Sequence, residues 1–110
     1  MDDLLDLFEN ANVCMRRVGA DGTILWANQA ELDLFGYRSE DYVGQKVIKL
    51  HVNPALVGEL IDRLQRNEVI ENCEAELFCK DGSIKQVLIN SSPVMVDGKL
   101  AYTRCFTTQQ

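Results

Sequence analysis

The chain has 110 residues, 46% of them hydrophobic and 25% charged, which suits one compact domain with a single core and is too short for two. Its 17 acidic and 11 basic residues give a net charge of −6, and the longest basic run is the pair Arg16-Arg17, so no cation cluster can release counterions from a nucleic acid or an anionic membrane, and neither partner is expected. No apolar run approaches the ~20 residues that span a bilayer, and Asp2, Asp3 and Asp6 stand where a secretory signal is basic, so a cytoplasmic protein is expected.

Residues 1–11 place Leu4, Leu5 and Phe8 at helical spacing among acidic residues, which predicts a short amphipathic helix. A helix so short needs a surface to pack on: its own sheet, or a second copy of the chain through a homodimer contact made by Leu4, Leu5 and Phe8. Residues 12–108 are then expected to form one domain. A first strand, Val13-Cys14-Met15-Arg16-Arg17-Val18, returns through the turn Asp21-Gly22 into Thr23 to Ala27. Asp-Gly recurs at Asp81-Gly82 and Asp97-Gly98, and Asp-Gly suits the positive φ values of a type I′ turn, so three tight hairpins and five antiparallel strands are predicted.

Asn28 is the expected N-cap of a helix, with Glu31 placed to reach back as in a capping box and Gly36 where a left-handed C-terminal cap falls. That helix is expected to bury Ala30 and Leu34, with Leu32 and Phe35 at its edge. Ser39 is the expected N-cap of a second helical turn, Glu40 to Val43. Asn53-Pro54 opens a longer helix carrying Leu56, Val57, Leu60, Ile61 and Leu64 on one stripe, with Glu59 and Arg63 as an exposed pair four apart. From Glu71 the period becomes two, so Cys73, Ala75, Leu77 and Cys79 share a face. A long strand runs from Ser83 to about Ser92, where Pro93 marks a bulge, an end or an edge, and Lys99 begins the last strand. Two strands, helical segments and three strands make an α+β order, with the inserted helices covering one face of the sheet.

Cys14, Cys73, Cys79 and Cys105 form no Cys-x-x-Cys pair and are joined by one histidine, so reduced, mostly buried thiols are expected and no metal site. No Ser/His/Asp set, Cys/His nucleophile signature or phosphate-cradling glycine loop stands out.

Several segments in this order resemble the PAS domain family of signalling modules: Leu7-Phe8-Glu9-Asn10-Ala11, Asp21-Gly22-x-Ile24-x-x-x-Asn28-x-Ala30, Gly36-Tyr37, Tyr42-Val43-Gly44 and Lys80-Asp81-Gly82-Ser83. The resemblance spans nearly the whole chain and lies in the ordered combination, since each piece alone is common. It implies a five-stranded antiparallel sheet in the order 2-1-5-4-3 with helices enclosing a small pocket. It also implies a sensor or regulatory role for an attached effector such as a histidine kinase or a cyclic-nucleotide enzyme.

The family's haem-binding members carry an axial histidine on the long helix, here Asn53 to Arg66, which has none; His51 lies just before it. Its photoactive flavin members carry a reactive cysteine in a motif whose counterpart here, Gly44 to Leu50, has none. Both cofactors are therefore disfavoured, which leaves a filled core or an unidentified small ligand. The residues assigned to such a pocket are Ile24, Trp26, Phe35, Val57, Leu60, Ile61, Cys73, Ala75 and Leu77, with Asn90 and Arg104, alongside Ser92, as candidate polar contacts. The last strand reads Cys105-Phe106-Thr107 where the family often has Asp-Ile-Thr, which puts coupling through that acid in doubt. Competing readings are a ligand-free homodimerisation scaffold and a small α+β-cone enzyme using an acid with His51.

Overall fold

A computed structural model describes residues 13–110. Strands β1 (Cys14–Gly19) and β2 (Ile24–Ala27) are followed by α1 (Gln29–Phe35), α2 (Ser39–Tyr42), a 3-10 turn (Val47–Lys49) and α3 (Pro54–Gln65). Strands β3 (Ile70–Phe78), β4 (Ile84–Val96) and β5 (Lys99–Gln109) complete one antiparallel sheet in the order β2-β1-β5-β4-β3, as expected. The residues expected to form the N-terminal helix, Leu4, Leu5 and Phe8 among them, lie outside the described residues.

All three Asp-Gly pairs turn the chain, in two different ways. Only Asp97-Gly98 has both residues at positive φ (52° and 76°), as a two-residue type I′ turn requires. In the first two turns the glycine alone is left-handed, and the hairpin closes one residue wider, through Gly19 N–H to Thr23 O at 2.8 Å and Cys79 N–H to Ser83 O at 2.7 Å. There the aspartate acts through its side chain: Asp21 Oδ1 accepts from Thr23 N at 3.0 Å and Asp81 Oδ1 from Ser83 N at 2.9 Å.

Asn28 caps α1, accepting from Glu31 N at 3.0 Å, and Gly36 closes it at φ 78°. The expected capping box does not form, because the Glu31 side chain turns into the core. The buried stripe of α1 is Glu31, Leu32 and Phe35 instead of Ala30 and Leu34. Asn28 ties this turn of the helix to the sheet. Its Oδ1 also accepts from Met15 N at 3.1 Å and its Nδ2 donates to Val13 O at 2.7 Å, which pins the first turn of α1 against β1.

The N-cap of α2 is Arg38, with no side-chain bond, and Ser39 is already helical. Asn53 and Pro54 open α3 as expected, and Arg63 pairs with Glu68 in the following turn at 3.4 Å instead of with Glu59. Pro93 sits inside β4, past the end of β3, which stops opposite Ser91, so proline occupies a stretch where one edge of β4 has no partner strand. Helices cover one face of the sheet. Phe35, Ala75, Leu77, Cys79, Val87 and Ile89 fill one end of that interface, and Val18, Ile24, Leu32, Tyr42 and Val47 another.

Candidate functional site

Strand alternation sends Arg16 and Val18 of β1 toward the helices, beside Thr103, Cys105 and Thr107 of β5 and Val87, Ile89 and Ser91 of β4. Arg16 is therefore a cation in the core, 3% exposed. Its Nη1 donates to Tyr42 Oη at 2.9 Å and lies 3.5 Å from Glu31 Oε2, while Tyr42 Oη donates to the same Glu31 oxygen at 2.5 Å. Burial by itself would lower the Arg16 pKa, but Tyr42 and Glu31 outweigh it and raise the value overall. Burial likewise raises the Tyr42 pKa, against the pull of Arg16, so the phenol stays protonated and able to donate. A buried charge of this kind is seldom better for stability than a well-packed apolar group, so the network is a candidate for function.

Arg16 borders a partly open cavity of about 50 Å³ between α3 and the sheet. Val57, Leu60, Ile61 and Leu64 of α3 form its apolar wall; Ser91, Thr103, Cys105 and His51 contribute polar atoms. Ser91 Oγ donates to Cys105 Sγ at 3.0 Å, and Thr103 Oγ1 lies 3.2 Å from the same sulfur. Arg16 Nε and His51 Nδ1 are buried with no hydrogen-bond partner among the described residues. Burial, followed by the nearby Arg16 charge, pushes the His51 pKa down to about 4, so the imidazole is neutral at pH 7. His51 also borders an open cleft beside Asn53, Leu56 and Glu76, and so stands between the cavity and solvent.

Of the residues assigned to a pocket from the sequence, the structure brings Val57, Leu60 and Ile61 together at this cavity. Ile24, Phe35, Ala75 and Leu77 are buried in the packed clusters on the same side of the sheet, with half-buried Cys73 against them. Trp26, Asn90 and Arg104 are on the opposite face, because the inward positions of their strands are taken by Ile24 and Ala27, by Ile89 and Ser91, and by Thr103 and Cys105. Sequence reasoning missed Arg16, Glu31 and Tyr42. The available signal was parity: Arg16 shares a strand face with Cys14 and Val18, so one inward position of β1 had to be charged. Among the described residues no group of three or more His, Cys, Asp or Glu is placed to hold a metal ion.

The outer face carries a third concavity, of about 320 Å³, whose lining includes Met15, Arg17, Trp26, Ser92, Arg104 and Phe106 and reaches Arg16 and Cys105. The Arg17 guanidinium lies 5.7 Å from the centre of the Trp26 ring and 5.5 Å from that of Tyr102, within cation–π range. Phe106 is 37% exposed. None of the helices among the described residues is long and apolar enough to cross a membrane.

Comparison with known proteins agrees with this architecture. The PAS domain of an HTR-like protein from Haloarcula marismortui superposes with a TM-score of 0.85 at 21% identity, over 99% of this chain and 90% of that one. The PAS domain of a protein from Colwellia psychrerythraea gives 0.88 at 19% identity, over 99% and 95%. A PAS domain from a two-component sensor histidine kinase gives 0.84 at 18% identity, over 99% and 95%. No curated protein sequence matches the chain. The family model described as PAS fold matches residues 2–105, nearly the full length, and the chain belongs to the PAS family.

Proposed function

We propose that this chain is a sensor module that receives a small molecule in the cavity between α3 and the sheet and regulates an attached effector such as a histidine kinase. The observation that carries the reading is an apolar α3 wall beside Arg16 Nε and His51 Nδ1, two of the four buried polar side-chain atoms with no partner among the described residues. Buried polar groups normally find partners, and a core that is merely filled has no use for two that do not. At about 50 Å³ the cavity is far below the ~300–1,000 Å³ of pockets that enclose cofactor-sized ligands, so neither a haem nor a flavin fits the residues present. The role is regulatory and includes no catalytic step.

Native mass spectrometry of the freshly purified protein, with an absorption spectrum alongside, tests this reading. A colourless protein retaining a small bound mass is the expected result. A protein that stays empty and shows no thermal shift across a library of small metabolites returns the function to a ligand-free scaffold.

A second reading, homodimerisation, is favoured by the outer concavity, where Trp26 and Phe106 offer aromatic surface beside Arg17 and Arg104. In it Leu4, Leu5 and Phe8 keep their expected part in the contact. Light scattering on Leu4→Asp with Phe8→Asp, and separately on Phe106→Asp, should report a monomer; an unchanged dimer mass in both counts against the contact.

A further inference from the structure

Resting on the sensor reading, we propose that the cavity takes a compact anion, of formate or nitrite size, held by Arg16 Nε and the hydroxyls of Ser91 and Thr103. Size sets the first limit, since about 50 Å³ admits about three non-hydrogen atoms. Hydrogen-bonding chemistry sets the second. Glu31 balances the Arg16 charge through Nη1, and the remaining Nε–H is a donor only, so the ligand must offer an acceptor on that side.

Glu31 and Tyr42 engage Arg16 at Nη1 alone, and the Glu31 contact is a single long one at 3.5 Å. The Nε–H has no partner among the described residues, on a side chain 3% exposed that borders the cavity. The two hydroxyls are available as well. Ser91 donates to the sulfur of Cys105, and Thr103 Oγ1 lies within hydrogen-bond reach of the same atom. Sulfur is a weak acceptor, so an oxyanion can take these donors from it at small cost, and hydrogen bonds to a charged acceptor are the stronger kind. The apolar α3 wall offers no competing hydrogen-bonding group on the far side, which leaves the Arg16 Nε–H and the two hydroxyls as the polar contacts.

The test is heteronuclear NMR of the ¹⁵N-labelled chain, following the Arg16 Nε–H signal during titration with sodium formate, sodium nitrite and the neutral analogue formamide. Exposed Arg38 serves as the internal reference for general salt effects. Formate and nitrite should move the Arg16 signal saturably while Arg38 does not saturate, and formamide should have no effect. Ser91→Val should weaken the apparent affinity by about tenfold or more with the sheet amides otherwise unchanged; should that variant not fold, Thr103→Val carries the same expectation. Saturable movement with formamide and not with formate overturns the anion and leaves the small-molecule reading standing. No saturable response at Arg16 or at the Ser91 and Thr103 amides to any of the three overturns the site itself. Equal, unsaturated drift at Arg16 and Arg38 is an ionic-strength effect and also overturns it.

Discussion

Arg16 and Arg17 are neighbours on β1 and live in different solvents. Arg16 points under the helices, where Tyr42 and Glu31 meet it at 2.9 and 3.5 Å and almost no water reaches it. Arg17 points outward across the rings of Trp26 and Tyr102 and remains exposed. The same guanidinium is thus a component of a desolvated network on one face and a surface cation on the other. Parity on a strand, not residue type, decides which role an arginine has. The inner face concentrates electrostatic interactions because its dielectric is low, and the outer face weakens them by hydration and salt.

Substitutions at these two positions give the widest separation. Arg16→Ala strands Glu31 and Tyr42 in the core, and urea denaturation should show a loss of about 3–5 kcal/mol. Replacing the whole network, Arg16→Met with Glu31→Leu and Tyr42→Phe, should recover much of that loss, since the polar groups go together. A triple variant as unstable as Arg16→Ala would mean that packing, and not stranded polarity, dominates.

Next in size is a pH effect confined to the inner face. His51 is neutral in the folded chain with a pKa near 4 and returns to 6.5 on unfolding, so the unfolded state binds the extra proton between those values. Stability from this group is complete above pH 6.5 and is lost as pH falls toward 4, by at most about 3 kcal/mol. Urea midpoints measured from pH 7 to pH 4 should fall accordingly, and His51→Phe should flatten that segment of the curve. An equal slope in the variant would assign the effect to the carboxylates.

Asn28 joins the two layers. Asn28→Ala removes the α1 cap and its side-chain bonds to Met15 of β1 and to Val13 just before it, for a loss of about 2 kcal/mol, with faster hydrogen exchange at the Glu31 and Met15 amides as its local mark. Outer-face changes come last: Arg17→Ala should cost under about 1 kcal/mol. Phe106→Asp should leave stability within about 0.5 kcal/mol while altering oligomer mass by light scattering. A large stability loss in either would show that the outer face is structural and would collapse the contrast between the faces.

Much of this architecture was legible in the residues. Three Asp-Gly pairs, the Asn28 and Asn53-Pro54 helix starts, Gly36 and the change of period at β3 are local signals, and each marks an element where the chain places one. The strand order came from the resemblance of their ordered combination to the PAS family. The site was less legible, because it depends on which way short elements face. A seven-residue helix such as α1 has too few turns for its hydrophobic stripe to fix its rotation; a tertiary tie through Asn28 holds its first turn to the sheet, and Glu31 faces inward. On β2, the register shift opposite Arg17 and Val18 breaks simple alternation, which is why Trp26 could be assigned to the wrong face. Cys105, Thr103 and Ser91 gave no local sign of gathering; only the pairing of β5 with β1 and β4 makes them neighbours.

The register between β1 and β5 has a geometric consequence for transmission. Arg16 pairs with Cys105, both bordering the cavity, and two pairs further along Cys14 stands opposite Thr107, where β1 begins and β5 nears its last residues. The chain therefore enters and leaves the sheet on adjacent strands, about 7 Å along the strand from the cavity wall. The start of β1 and the end of β5 are therefore paired with each other at the same distance from that wall.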